Sequence, residues 1–94
     1  MKGFFNLGSV CLLNNDLQEA EKYFNKTIKL DASFFVAFIK LGTIYAKQKS
    51  FLKAIESYKY ALDIKPNSEL ALANLGNVYG QQAQNHMRPT EQTG

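Results

Sequence analysis

The sequence is short of the residues from which catalytic and metal sites are built. It has one histidine, His86, and one cysteine, Cys11. A lone cysteine excludes an intramolecular disulfide framework and suits a reducing compartment, so a cytoplasmic location is the expectation. A metal site needs Cys or His partners at ligand spacing, and none exists; no metal and no cofactor is expected. Long apolar runs are missing too. The longest, around Phe34 to Ile39, falls far below the ~18–20 residues of a membrane span, so no membrane partner is expected. Lys2 is followed at once by a mixed pattern rather than by the apolar core of a signal peptide. Arginine is limited to Arg88, so the net charge of +3 rests on scattered lysines. That is a weak basis for phosphate recognition, and nucleic acid ranks last among the partners. Gly76 and Gly80 sit within a helical pattern, without the strand–loop–helix setting of a phosphate loop. The carboxylates are dispersed, and no nucleophile has a base nearby. The chain is not expected to be an enzyme.

What the sequence does have is a repeat. Leu-Gly pairs place glycine at Gly8, Gly42 and Gly76, a spacing of 34 residues twice over. Aligned on that period, other columns agree: Phe4, Phe38 and Leu72; Leu7, Leu41 and Leu75; Val10, Ile44 and Val78; Cys11, Tyr45 and Tyr79. In the second half of the period Ala20 matches Ala54, Phe24 matches Tyr58, and Ile28 matches Leu62. Each half is spaced as one face of a helix: Phe38, Leu41, Gly42 and Tyr45 fall at i, i+3, i+4 and i+7. Mid-helix glycine costs about 1 kcal/mol relative to alanine, so three at one phase need a packing reason, namely close approach of a paired helix.

Polar turns separate the faces at Asn14-Asn15-Asp16 and Lys47-Gln48-Lys49-Ser50. Asp16 and Ser50 are expected to cap the helices that follow through a side-chain oxygen, Asp16 together with Glu19 as an approximate capping box. Asp31-Ala32-Ser33 and Lys65-Pro66-Asn67-Ser68 end one unit and begin the next. The pattern predicts helices at 2–14, 17–30, 34–47, 51–64 and 68–83, and no strand. The units are 1–34, 35–68 and a first helix alone at 69–83, about two and a half repeats. Residues 84–94 lose the apolar period and are expected to form a disordered tail.

These residues resemble the tetratricopeptide repeat (TPR), a helix–turn–helix unit of 34 residues. The middle unit fits best, with Phe38, Leu41-Gly42, Tyr45, Ala54, Tyr58, Ala61 and Pro66. The first departs at Cys11, Thr27 and Ala32, where the family usually has Tyr, Ala and Pro. The resemblance implies an all-α, right-handed α-solenoid of stacked antiparallel helix hairpins, whose first helices line a concave groove. It also implies a non-enzymatic scaffold for a protein or peptide partner. The groove-facing columns of the family, the second, fifth, sixth, ninth, twelfth and thirteenth of each unit, take in Lys47 and Gln81 among others; within them Phe5, Asn6, Ser9, Val36, Ile39, Lys40, Thr43, Asn74 and Asn77 are the candidate partner-binding residues. Asn6 and Asn74 share one column with Lys40 between them, similar to the asparagine ladder of the O-linked N-acetylglucosamine transferases. An amide pairs with a peptide backbone whatever its side chains.

The resemblance also implies one absence. Chaperone-binding members grip a C-terminal carboxylate with a Lys/Asn/Asn/Lys/Arg clamp. Here Phe5, Ser9, Lys40, Leu70 and Asn74 stand at those positions, so acidic chaperone tails are not expected to bind. A last helix presenting Leu75, Val78 and Tyr79 toward a missing partner offers a second reading, homo-oligomerisation through that face. A third is that the chain is the scaffold portion of a larger protein.

Overall fold

The computed structural model describes residues 2–86. Five helices follow in order: α1 (Lys2–Leu13), α2 (Leu17–Leu30), α3 (Phe35–Lys47), α4 (Phe51–Ile64) and α5 (Glu69–His86). No strand occurs among the described residues. Each helix packs on its neighbours in the chain, and α3 also meets α5 across α4. The result is an all-α repeat solenoid, 52 × 29 × 17 Å in extent. None of these helices is long and apolar enough to cross a membrane. Four of the five lie within a residue of the predicted positions. The fifth runs to His86, so residues 84–86 are helical rather than tail. No helix breaker occurs there before Pro89, and an exposed helix can continue without apolar periodicity. The rest of the expected tail, 87–94, lies outside the described residues.

The turns inside the two hairpins are copies of each other. Asn15 and Lys49 both adopt left-handed backbone, with φ of 64° and 63°. Asp16 N–H donates to the Cys11 carbonyl and Ser50 N–H to the Tyr45 carbonyl, both at 2.8 Å. Asn15 N–H and Lys49 N–H donate to Leu12 and Ala46 at 3.0 Å. That pair of bonds is a Schellman closure of α1 and α3. Asp16 and Ser50 thus finish one helix while preceding the next. Neither side chain makes a capping bond, contrary to expectation; their ψ angles of 75° and 72° depart from the extended backbone typical of a capping residue. Glu19 pairs with Lys22 at 3.4 Å instead of closing a capping box. Ser68, which the pattern marks only as a boundary, does cap: its Oγ accepts from Ala71 N–H at 3.3 Å, and it is buried.

Two apolar clusters hold the stack. Ala20 and Phe24 of α2 meet Leu41 and Ile44 of α3, and Ala54 and Tyr58 of α4 meet Ala71 and Val78 of α5. Ala54, Tyr58 and Val78 are Ala20, Phe24 and Ile44 moved on by one repeat. Within each hairpin the repeated glycine lies against a ring. A Cβ on Gly8 would come within 2.9 Å of Phe24, and one on Gly42 within 2.6 Å of Tyr58. Thr27, where the family has alanine, is fully buried, its hydroxyl donating to the Tyr23 carbonyl at 3.0 Å.

Among the described residues nothing covers either end of the stack. Ile44 and Val78 are 0% and 2% exposed, whereas Val10 in the same column is 54% exposed, with no helix among the described residues packed over it. At the other end, a Cβ on Gly76 would meet nothing within 4 Å. Leu72 and Tyr79 flank it, both about half exposed. This corrects the expected oligomer face. Val78 is buried and Leu75 packs against the cluster of α4, so both point into the stack. Only Tyr79 of that trio faces outward; its companions on the bare face are Leu72 and Gly76.

Candidate functional site

The first helices of the second and third units, α3 and α5, lie side by side and border a depression. It measures about 220 Å³ and is lined by Thr43, Ala46, Lys47, Tyr58, Asn74, Asn77, Val78 and Gln81. A second, of about 360 Å³, adjoins it through Ala46, Lys47 and Gln81 and continues past Lys49, Phe51 and Gln84. Together they form a trough running along α5 toward its C-terminal half. Asn74, Asn77, Gln81 and Gln84 mark its α5 wall at i, i+3, i+7 and i+10, one stripe of a helix. The apolar clusters fix both walls, so these side chains stand on a packed support.

The floor is a hydrogen-bonded pair. Thr43 Oγ1 lies 3.1 Å from the Ile39 carbonyl and 3.2 Å from the Tyr58 hydroxyl. Burial pushes the Tyr58 hydroxyl's pKa above the usual tyrosine value, and the bond to Thr43 opposes that shift. Tyr58 is therefore a neutral, partnered phenol at ordinary pH. On the opposite face of α3, Tyr45 Oη donates to Glu21 Oε2 at 2.9 Å and ties α3 to α2. Its pKa is pushed up to about 12, by burial first and by Glu21 second.

The candidate residues divide into groups. Thr43, Asn74 and Asn77 come together at the trough. Lys40 and Val36 lie on α3, both half-buried, at the expected columns. Asn6 is exposed and Ser9 half-buried on α1, outside the residues lining this trough. Phe5 and Ile39 require correction. Ile39 is only 2% exposed and belongs to the α3–α4–α5 cluster. Phe5 packs edge-on against Phe34, with centroids 5.0 Å apart, and tilts on Phe24 at 5.5 Å. Both are large enough at that column to pack on the apolar clusters, Ile39 within one and Phe5, half-buried, against the other, so both support the wall. The candidate set also omitted Lys47 and Gln81. They share one groove column, which the repeat marked; their weight in the trough comes from the amides beside them.

Comparison with known proteins agrees with this fold. A family model described as Tetratricopeptide repeat matches residues 1–34, and one described as TPR repeat matches residues 42–82. The chain is 30% identical over 91 residues to Protein O-mannosyl-transferase Tmtc3 of Drosophila melanogaster, spanning 97% of this chain but 9% of that protein. Among solved structures it is similar to MamA, with a TM-score of 0.83 and 28% identity, over 87% of this chain and 48% of that one. It also resembles the first TPR of Spaghetti (RPAP3) bound to HSP90 peptide SRMEEVD, with a TM-score of 0.80 over 85% of this chain and 64% of that one. Identity there is 21%, a likeness of fold alone.

Proposed function

The chain belongs to the tetratricopeptide repeat family, and from that premise we propose that it holds an extended peptide segment of a protein partner along α1, α3 and α5. It acts as a scaffold, without catalysis of its own. The observation that carries this reading is the convergence of Thr43, Lys47, Asn74, Asn77 and Gln81 on one trough above a packed floor. Side-chain amides can each donate and accept, so a row of them can follow a peptide backbone. The cytoplasm is the proposed setting, in keeping with the single unpaired thiol of Cys11.

The test compares the wild-type chain with Asn6→Ala/Asn74→Ala in pull-downs followed by affinity measurement on the captured partner. The double variant is expected to weaken binding while helicity by circular dichroism stays the same. Equal affinity removes the groove reading. Acidic C-terminal chaperone tails are not the proposed ligand, because Phe5, Ser9 and Leu70 stand where a carboxylate clamp needs basic or amide side chains. Submicromolar binding of such a tail in calorimetry overturns that exclusion.

A second reading rests on a different observation, the bare face at Leu72, Gly76 and Tyr79. A further helix stacked there, from the same polypeptide in a longer protein or from a second copy, would cover it. Sedimentation of this chain at several concentrations separates the two sources. A stable monomer throughout excludes the second copy.

A further inference from the structure

We infer that the segment held in the α3–α5 trough is anionic, carrying acidic side chains along its length rather than a terminal carboxylate. This rests on the groove reading above and adds the chemistry of the ligand.

The charges of the chain are sorted by face. The described carboxylates Asp16, Glu19, Glu21, Asp31, Glu56 and Asp63 all lie on α2, on α4 or in turns. Glu69, in the first turn of α5, is the one carboxylate on α1, α3 or α5, and it lines neither depression. The trough itself is walled by Lys47 and Lys49 on one side and by the amides Asn74, Asn77, Gln81 and Gln84 on the other. It therefore offers cations and neutral donors with no fixed negative charge.

The lysines differ in what already engages them. Lys22 pairs with Glu19, and its ammonium lies 5.7 Å from the centre of the Tyr23 ring. Lys26 sits over Phe4 at 5.3 Å, Lys53 over Tyr45 at 5.6 Å, and Lys65 over Phe35 at 5.8 Å. Lys40, Lys47 and Lys49 make no ion pair or ring contact among the described residues. Lys29 and Lys59 are also unengaged, but they stand on α2 and α4 among the acidic residues. Lys47 stands in the last turn of α3, at the negative end of the helix dipole, and is exposed.

A positive wall with amide donors opposite suits a carboxylate, which accepts hydrogen bonds and takes the charge of lysine. A terminal carboxylate is the less suitable form of it. Phe5, Ser9 and Leu70 remove the basic and amide grip that a chain end would need, whereas the trough stays open along α5.

The experiment is an NMR titration of the labelled chain with three short peptides, each capped as acetyl and amide. One alternates glutamate with alanine, and the others replace glutamate by glutamine or by lysine. The glutamate peptide is expected to shift the backbone amides of Lys47, Asn77 and Gln81. Its affinity should fall about tenfold in Lys47→Glu, the loss of one charge-assisted contact, and should fall with added salt. Lys59→Glu makes the same change of net charge on the far face and is expected to leave affinity unchanged. Equal binding of the glutamine peptide in the trough overturns the anionic inference while the groove reading stands. Equal loss in Lys59→Glu and Lys47→Glu overturns it as a net-charge effect. Shifts confined to α2 and α4 overturn both readings. No shift at millimolar peptide overturns the inference, and the asparagine variant then decides the groove reading by itself.

Discussion

The ring of Tyr58 lies against Gly42 so closely that a Cβ on that glycine would come within 2.6 Å of the ring's Cε1. Tyr58 is almost fully buried and its hydroxyl is bonded to Thr43, so the ring has little freedom to yield. Gly42→Ala is expected to destabilise the chain. Overpacking costs about 1–3 kcal/mol, against at most about 1 kcal/mol gained in helix propensity. Gly76→Ala meets open space and should stabilise by about 0.5–1 kcal/mol. Urea midpoints of the two variants, moving in opposite directions, check this.

Val10 and Ile44 share a column but not an environment. Ile44→Ala empties a fully buried site and should cost about 2–5 kcal/mol. Val10→Ala, on the bare flank, should stay within about 0.5 kcal/mol of wild type. Thermal denaturation followed at the helical signal separates the two.

The left-handed turn at Lys49 carries a residue type that strains there, whereas Asn15 at the equivalent turn tolerates it. Lys49→Gly is expected to stabilise by roughly 0.5–1 kcal/mol. Because the same substitution removes a trough cation, it should weaken binding of the glutamate peptide. Denaturant melts and the peptide titration, run on one variant, give the two signs.

Tyr45 supplies a pH dependence. Its folded pKa is raised to about 12, above the ordinary value near ~10, so the folded chain holds this proton more tightly than the unfolded one. The stabilisation is complete below pH ~10 and is lost as the pH rises toward about 12. Tyr45→Phe should be less stable near neutral pH, through loss of the bond to Glu21, and should show a shallower alkaline decline. Melting temperatures of both proteins across that range provide the comparison.

Much of the fold was legible because the apolar period is a direct record of which side chains face inward. Gly8 and Gly42, the small residues Ala20 and Ala54 and the rings Phe24 and Tyr58 announced close helix pairing, and they make it; Gly76, read the same way, faces open space. Depth was less legible. A column gives the direction of a side chain but not how far the stack closes over it. Ile39 therefore sank into the core, and Phe5 became a packing ring. Caps were misread at Asp16 and Ser50 because closing the preceding helix had already fixed their backbone, through bonds that reach five residues back. The trough itself depends on α5 lying beside α3, a proximity that a pattern local to each helix does not contain.

The uncovered flanks rank the five helices by how readily their backbone meets solvent. The amides of α3 and α4, supported on both sides, should be the slowest to exchange with deuterium, and α1 and the far half of α5 the fastest. The α3 wall of the trough is then anchored to the most protected hairpin, while its α5 wall breathes, and an occupant bridging them would be read out as new protection along α5.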